Sequence, residues 1–302
     1  MLESSRREFI RNCGIGVGLA MTSNLWLGVL FNSAKAQAGP ERFGISVEDM
    51  KKLLEIALSK GGEFSELYFE YSVTNSVVMS EDIIKSSSES VQLGVGVRVL
   101  KGEQTGYGFT NDMTFESIKS AAITAAAIAD GNAKAAVANL NISKPSIQIY
   151  DLKNPFFDKT LDVKIDLVKQ AYNAAKNHDS KIVKISSSMA EDIQYVTIAN
   201  SEGLLISDER PQVRLMVQAT AFDNKNRTTA YANAGGRIGV DFYKQPKTTP
   251  AEIGKRAAEE AILLLSAIPA PPGEQTVVLG SHQSGVMIHE AVGHPLEADG
   301  VW

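Results

Sequence analysis

The sequence has almost no cysteine and few histidines, and both shortages limit the sites that it can form. Cys13 is the only cysteine among 302 residues, which excludes an intrachain disulfide and a zinc site built on Cys-x-x-Cys. A metal ion held by this chain must therefore use histidine, aspartate or glutamate. Only four histidines are present, and three of them fall within residues 282–294.

The sequence also lacks a strong excess of charge of either sign. It contains 30 Lys+Arg and 35 Asp+Glu, a net charge of −5, and 44% of its residues are hydrophobic. A dedicated nucleic-acid-binding protein usually presents a basic face, and we therefore expect no nucleic-acid partner. The balance is that of a globular rather than a disordered protein, and the length suits about two domains.

The first 36 residues are typical of a twin-arginine signal peptide. Arginines at positions 6 and 7 precede Phe9, an apolar run over residues 13–31 and a small-residue end at residues 34–36. We expect cleavage after Ala36 or Ala38, which places the mature protein in the periplasm or another extracytoplasmic space. An uncleaved membrane anchor is the alternative, because the run is long enough to span a bilayer. If the signal is not used, the protein stays in the cytoplasm.

The rest of the sequence predicts an α+β fold, with two mixed α/β-sheet domains followed by the start of a β-rich catalytic domain. The first domain covers residues 45–130 and the second covers residues 155–268. The third covers residues 272–302. Segments rich in proline or in small polar residues separate the three.

Helices are predicted where apolar residues repeat at helical spacing behind a capping residue such as Ser46, Thr114 or Thr249. They cover residues 46–60, 115–130, 162–178, 250–267 and 284–292. Strands are predicted where apolar and β-branched runs lie between turn signals. They cover residues 66–73, 76–80, 90–100, 105–110, 181–190, 193–200, 203–208, 211–222, 227–234 and 275–279.

Residues with catalytic chemistry are concentrated in the sequence HEAVGH, from His289 to His294. Two imidazoles supply neutral nitrogen ligands for Zn²⁺, and the carboxylate beside the first one reaches the water that zinc activates. Zinc lowers the pKa of that water to roughly 7, so that Glu290 takes its proton as general base and passes it to the leaving amine. The pattern predicts a zinc metallopeptidase; a chance arrangement of these residues is the alternative.

The two histidines are five positions apart, whereas the familiar HExxH motif separates them by four. Five positions correspond to about 500° in a regular α-helix, which leaves the side chains about 140° apart. Gly293 permits unusual backbone angles, and a residue before proline, here His294, is biased away from the α region. We therefore predict a π-bulge between the histidines or a helix that ends at His294.

Several other polar residues are weaker candidates. Glu297 and Asp299 follow the motif as partners that orient an imidazole or as solvated turn residues. His282 is a third ligand or a surface residue. His178 suits the end of a helix, and we assign it no function. Arg98 and Arg237 contact a peptide carboxylate or a partner, or form structural ion pairs.

Five stretches of this sequence together resemble the TldD/PmbA family, also called modulator of DNA gyrase. They are HEAVGHPLEAD at 289–299, GVGVRV at 94–99, GYGFT at 106–110, NSEG at 200–203 and AGGR at 234–237. The likeness covers residues 45–302 in the same order. The family comprises metallopeptidases of the HExxxH type that cleave short or unfolded peptides, and it has one kind of subunit that carries the motif and one that lacks it.

The resemblance implies that His289 and His294 bind zinc and that Glu290 is the catalytic base of a TldD-like subunit. It also implies a homodimer, or a heterodimer with a PmbA-like subunit. The family's third zinc ligand is a cysteine in the C-terminal part of the last domain, a position beyond residue 302. We therefore expect a C-terminally truncated chain with a hydrolase site. The alternative is a catalytically inactive or partner subunit of such a dimer.

Overall fold

The computed structural model describes residues 40–129, 131, 135–143, 159–280 and 283–300. The strands in these ranges are β1 (Phe64–Ser80), β2 (Ile83–Lys101), β3 (Gln104–Thr110), β4 (Asn141–Ser143), β5 (Ile182–Asn200), β6 (Leu204–Phe222) and β7 (Arg227–Gly236). The α-helices are α1 (Val47–Leu58), α2 (Phe115–Ala126), α3 (Leu161–Lys176), α4 (Pro250–Leu264) and α5 (Gln283–Ile288). None of the described helices has the length and apolarity that a membrane crossing requires. The predicted signal peptide, with Cys13, lies outside the described residues.

The seven described strands form one sheet, which is antiparallel except at β4. The order is β3-β2-β1-β5-β6, and β6 then pairs with β7 in antiparallel fashion and with β4 in parallel fashion. β1 is central, because Phe69 lies opposite Val95 of β2 and Thr197 of β5. The sheet therefore passes through both segments that the sequence suggests as domains. A compact unit extends to Leu265, and the residues from Ser266 onward form a second one.

The helices α1 to α4 cover one face of this sheet. Two hydrophobic clusters fill the space beneath them, one under α1 and α2 and the other under α3 and α4. Strands β1 and β6 contribute buried residues to both clusters, and these residues are odd-numbered, for example Leu67 and Val77 of β1, and Leu205 and Leu215 of β6. Because side chains alternate between faces along a strand, both clusters lie on the same side of the sheet. Burial of these apolar surfaces stabilises the first unit.

Three of the helix starts follow from local capping. The side-chain oxygens of Ser46, Thr114 and Thr249 accept hydrogen bonds from backbone N–H groups three residues later. Pro250 occupies the first turn of α4, where its missing N–H costs nothing.

Helix α2 also needs a small residue on the strand beneath it. A Cβ at Gly108 of β3 would lie 2.2 Å from the carbonyl oxygen of Ala121. Only glycine allows this approach.

The strands are longer and fewer than the sequence predicts. The expected break between residues 73 and 76 is wrong, because Thr74 and Asn75 continue β1 as paired residues. Their polar side chains find partners across the sheet, with Thr74 Oγ1 2.8 Å from Asp192 Oδ1. The strands predicted at 181–190 and 193–200 are likewise one strand, β5, and those predicted at 203–208 and 211–222 are one strand, β6. The β2 residues 83–89 were not predicted at all.

The strand predicted at residues 275–279 is also wrong. In the described residues this segment forms no strand, and Val277 and Val278 are 72% and 96% exposed. A strand exists only through hydrogen bonds to a neighbour, and none of the described strands pairs with this segment. In the described part of residues 272–302, regular structure begins at Gln283 with α5 and the short turns that follow it.

Candidate metal centre

The predicted motif lies at the end of a short helix in the second unit. Helix α5 ends at Ile288 and is followed by a π-turn over His289–Gly293. The backbone N–H of His294 donates to the carbonyl oxygen of His289, five residues earlier. This bond places the two histidines on the same side of the turn. The predicted departure from α geometry is confirmed.

The physical reason for the π-turn differs from the one that the sequence suggested. Gly293 has φ −62° and ψ −56°, and His294 has φ −60° and ψ −43°, so both stay in the right-handed helical region. The expectation that unusual angles at these residues open the helix is wrong. Gly293 matters because it lacks a side chain: a Cβ there would lie 3.1 Å from Nδ1 of His289. Pro295 has no N–H to donate, so the turn ends there.

The π-turn brings the three predicted side chains together. One candidate ligand atom from each of His289, Glu290 and His294 lies within 4.8 Å of the other two. The two imidazole rings are 4.6 Å apart between centroids and inclined by 67°. Glu290 Oε2 is 3.4 Å from His294 Nε2. The cluster is open to solvent, since the side chains of His294 and Glu290 are 51% and 61% exposed.

The opposite side of the His294 ring meets a second carboxylate. Glu297 Oε1 lies 2.7 Å from His294 Nδ1. The contact follows from a short 3-10 turn over His294–Leu296, in which the N–H of Glu297 donates to the carbonyl oxygen of His294. The sequence left open whether Glu297 orients an imidazole or is a turn residue. The sequence feature that points to this contact is the position of Glu297, three residues after His294 and two after Pro295.

The donor atoms fit a zinc ion in type and approximately in spacing. Imidazole nitrogens bind zinc at about 2.0–2.1 Å, so two nitrogens on a tetrahedral ion lie roughly 3.4 Å apart. The cluster spans at most 4.8 Å, and its exposed side chains are not held apart by packing. Catalytic zinc sites usually have three protein ligands. Among the described residues, no other His, Cys, Asp or Glu belongs to this group.

The structure does not bring the other sequence candidates to the cluster. His282 and the side chain of Asp299 lie outside what the structure describes. His178 follows the end of α3, where its N–H donates to the carbonyl oxygen of Ala175. Arg98 forms an ion pair with Glu66 on the neighbouring strand, with 2.8 Å between Nη2 and Oε1. This is the structural ion pair that the sequence suggested as one possibility. Arg237 lies in the first unit, beside Gly236.

Two family models match the first unit. They describe the PmbA/TldA metallopeptidase domain 1, over residues 65–129, and the PmbA/TldA metallopeptidase central domain, over residues 154–265. These two matches place the chain in a family of metallopeptidases. The chain belongs to the TldD/PmbA family.

Comparisons with curated proteins agree with this family. A metalloprotease TldD homolog of Haemophilus influenzae is 32% identical over 84% of this chain and 54% of its own length. A second TldD homolog, from Buchnera aphidicola of Acyrthosiphon pisum, is 28% identical over the same shares. The chain thus spans about half the length of the curated relatives it matches.

A solved structure shows the same fold. The Thermotoga maritima protein described as a modulator of a DNA gyrase superposes with a TM-score of 0.59 and 22% identity. The superposition covers 76% of this chain and 50% of the other. The mixed α/β architecture predicted from the sequence is confirmed by this similarity.

Proposed function

We propose that this chain carries the catalytic motif of a zinc peptidase that hydrolyses peptide bonds in short or unfolded peptides. His289 and His294 hold the zinc ion, and Glu290 is the general base. The observation that carries the proposal is the π-turn, which puts both imidazoles and the intervening carboxylate within 4.8 Å. The curated relatives are named metalloproteases, which supports a peptidase but leaves the metal open.

The three side chains have two different roles: His289 and His294 bind the metal, and Glu290 transfers a proton. Zinc, when bound, supplies a Lewis acid that polarises the peptide carbonyl and makes water a stronger acid. Glu290 then accepts the proton of the attacking water and donates it to the leaving nitrogen. Glu290 Oε2 lies 3.4 Å from His294 Nε2, so the general base is next to one of the two proposed zinc ligands. The exposure of the cluster allows an extended peptide to approach.

The proposal extends to a partner and a compartment. We propose a homodimer, or a heterodimer with a PmbA-like subunit, outside the cytoplasm after twin-arginine export. The apolar side chains around the motif support further protein contacts. Val286, Met287 and Ile288 of α5 and Val292 of the π-turn are between 49% and 55% exposed, and a cluster of exposed apolar residues often marks an interaction site.

The second candidate is an inactive or partner subunit of such a dimer. It is supported by the small number of metal ligands among the described residues. They provide two imidazoles, and the carboxylate beside them is assigned to proton transfer, whereas catalytic zinc sites usually have three protein ligands. A chain that binds zinc at one equivalent but cleaves nothing would favour this candidate.

The decisive variant is Glu290→Gln, which removes the base but keeps the size of the side chain. We expect hydrolysis of an unstructured fluorogenic peptide to fall by at least about 100-fold, the usual contribution of a general base. Zinc binding should remain within a factor of about three. Glu274→Gln is the matched control, because this exposed glutamate of the same unit lies outside the motif. Full activity in Glu290→Gln would overturn the assignment.

A further inference from the structure

We propose that Glu297 is a positioning residue that fixes the ring of His294 with Nε2 toward the metal. This inference rests on the proposed function, since it concerns a ligand of that same site. Glu297 itself touches neither metal nor substrate. It acts through His294, by holding the proton on Nδ1.

The backbone holds Glu297 in place for this contact. In a 3-10 turn, side chains three residues apart eclipse each other, and His294 and Glu297 stand at the two ends of such a turn. The N–H of Glu297 donates to the carbonyl oxygen of His294 at 3.0 Å, and Gly300 N–H donates to that of Glu297 at 2.9 Å. Pro295 fixes the first angle of the turn. The carboxylate is therefore directed back to the imidazole by main-chain bonds.

The two ring nitrogens of His294 have different neighbours. Nδ1 lies 2.7 Å from Glu297 Oε1, whereas Nε2 lies 3.4 Å from Glu290 Oε2, inside the cluster. An ionised carboxylate accepts a hydrogen bond but cannot donate one. Because the Glu297 contact is 0.7 Å shorter than the Glu290 contact, it favours the hydrogen on Nδ1 and leaves the lone pair of the neutral ring on Nε2. That lone pair points to the atoms that would share the metal. A carboxylate in this position also makes the imidazole a better ligand.

Two other roles for Glu297 predict different behaviour. An exposed ion pair with a charged His294 would contribute little and would leave metal binding unchanged when removed. A direct ligand would add an oxygen to the metal, and its removal would change the coordination shell. The geometry favours orientation, because Glu297 Oε1 is engaged with Nδ1, the side of the ring away from Glu290.

The test compares Glu297→Ala and Glu297→Gln with the wild-type chain and with Glu274→Ala. Zinc affinity is measured by competition with a chromophoric chelator. We expect Glu297→Ala to weaken binding about 10- to 100-fold. Glu297→Gln retains an acceptor oxygen and should lose less, and Glu274→Ala should match the wild type. Unchanged affinity in Glu297→Ala would overturn the proposal, as would loss of an oxygen ligand from the zinc X-ray absorption spectrum.

A second measurement needs no metal. Nitrogen-15 NMR of the His294 ring in the metal-free chain, at a pH where the ring is neutral, reports which nitrogen is protonated. We expect the Nδ1–H form in the wild type and loss of that preference in Glu297→Ala. The same tautomer mixture in both would overturn the positioning role. If the wild type shows the expected tautomer but binds no zinc, the proposed function fails while this contact stands.

Discussion

Gly293 shows how a single missing side chain shapes the site. A glycine inside a helical turn costs about 1 kcal/mol relative to alanine, so its presence needs a reason. Here a Cβ would lie 3.1 Å from Nδ1 of His289, so the ring would have to shift by a few tenths of an ångström to admit it. The sequence draws attention to this glycine through the five-residue spacing of the histidines. It does not reveal that the glycine makes room rather than bends the chain, because that depends on where the ring lies.

Replacing Gly293 with alanine tests this explanation. We expect zinc affinity to fall several-fold, because the His289 ring must turn away from the new methyl group. Helix content, measured by circular dichroism, should stay equal or rise, since alanine is the better helix former. Gly285→Ala is the matched control, because a Cβ there has no heavy atom within 4 Å. Equal loss of affinity in the control would contradict the account.

At the scale of elements, the central link in the first unit is a buried ion pair between α3 and β5. Lys164 and Glu191 are 7% and 5% exposed, and the ammonium of Lys164 contacts Glu191 Oε1. Asn75 of β1 donates to the same oxygen at 3.1 Å. Glu191 Oε2 is buried with no hydrogen-bond partner among the described atoms. The pair thus ties a helix to two strands, and each charge depends on the other.

Removing one partner of this pair should be costly, and removing both should not. We expect Lys164→Met to destabilise the protein by about 3–5 kcal/mol in urea unfolding, because it leaves a buried, unpaired carboxylate. The double variant Lys164→Met, Glu191→Leu should recover most of that loss. Lys169→Met, an exposed change on the same helix, is the control. A single variant as stable as the control would contradict the burial of the pair.

The sequence predicts an element well when the residues that stabilise it are close to it in the chain, and poorly when they are far away. The starts of α1, α2 and α4 were predicted correctly, because Ser46, Thr114 and Thr249 cap them from within three residues. Strand lengths were not, because polar residues such as Thr74 are held by partners more than a hundred positions away. The π-turn was one of the two possibilities predicted from the spacing of the histidines together with Gly293 and Pro295. The contact of Glu297 was left open, because it depends on a 3-10 turn that the sequence pattern did not predict.

At the scale of the whole molecule, the chain divides into two compact units, and the buried apolar clusters lie in the first of them. Both hydrophobic clusters are built from residues between Phe43 and Leu265, all within the first unit. The helices around the metal motif, by contrast, have no buried residue among the described ones from 266 onward. The first unit therefore has a hydrophobic core of its own.

A shortened chain tests this division. We expect a protein that ends at Leu265 to keep the circular dichroism and the cooperative unfolding transition of the sheet, within a few degrees of the original melting temperature. It should lose zinc binding, because His289 and His294 are removed. An unfolded or aggregated product would contradict the claim that the first unit has a complete core.

The central claim is that the π-turned HEAVGH motif binds a catalytic metal ion through two imidazoles. Zinc K-edge X-ray absorption on the purified chain, loaded with one equivalent of zinc, tests it most directly. The account predicts two imidazole nitrogens at about 2.0–2.1 Å and their disappearance in the His289→Ala, His294→Ala double variant. A spectrum without imidazole scattering, or one that is identical in the double variant, would contradict it.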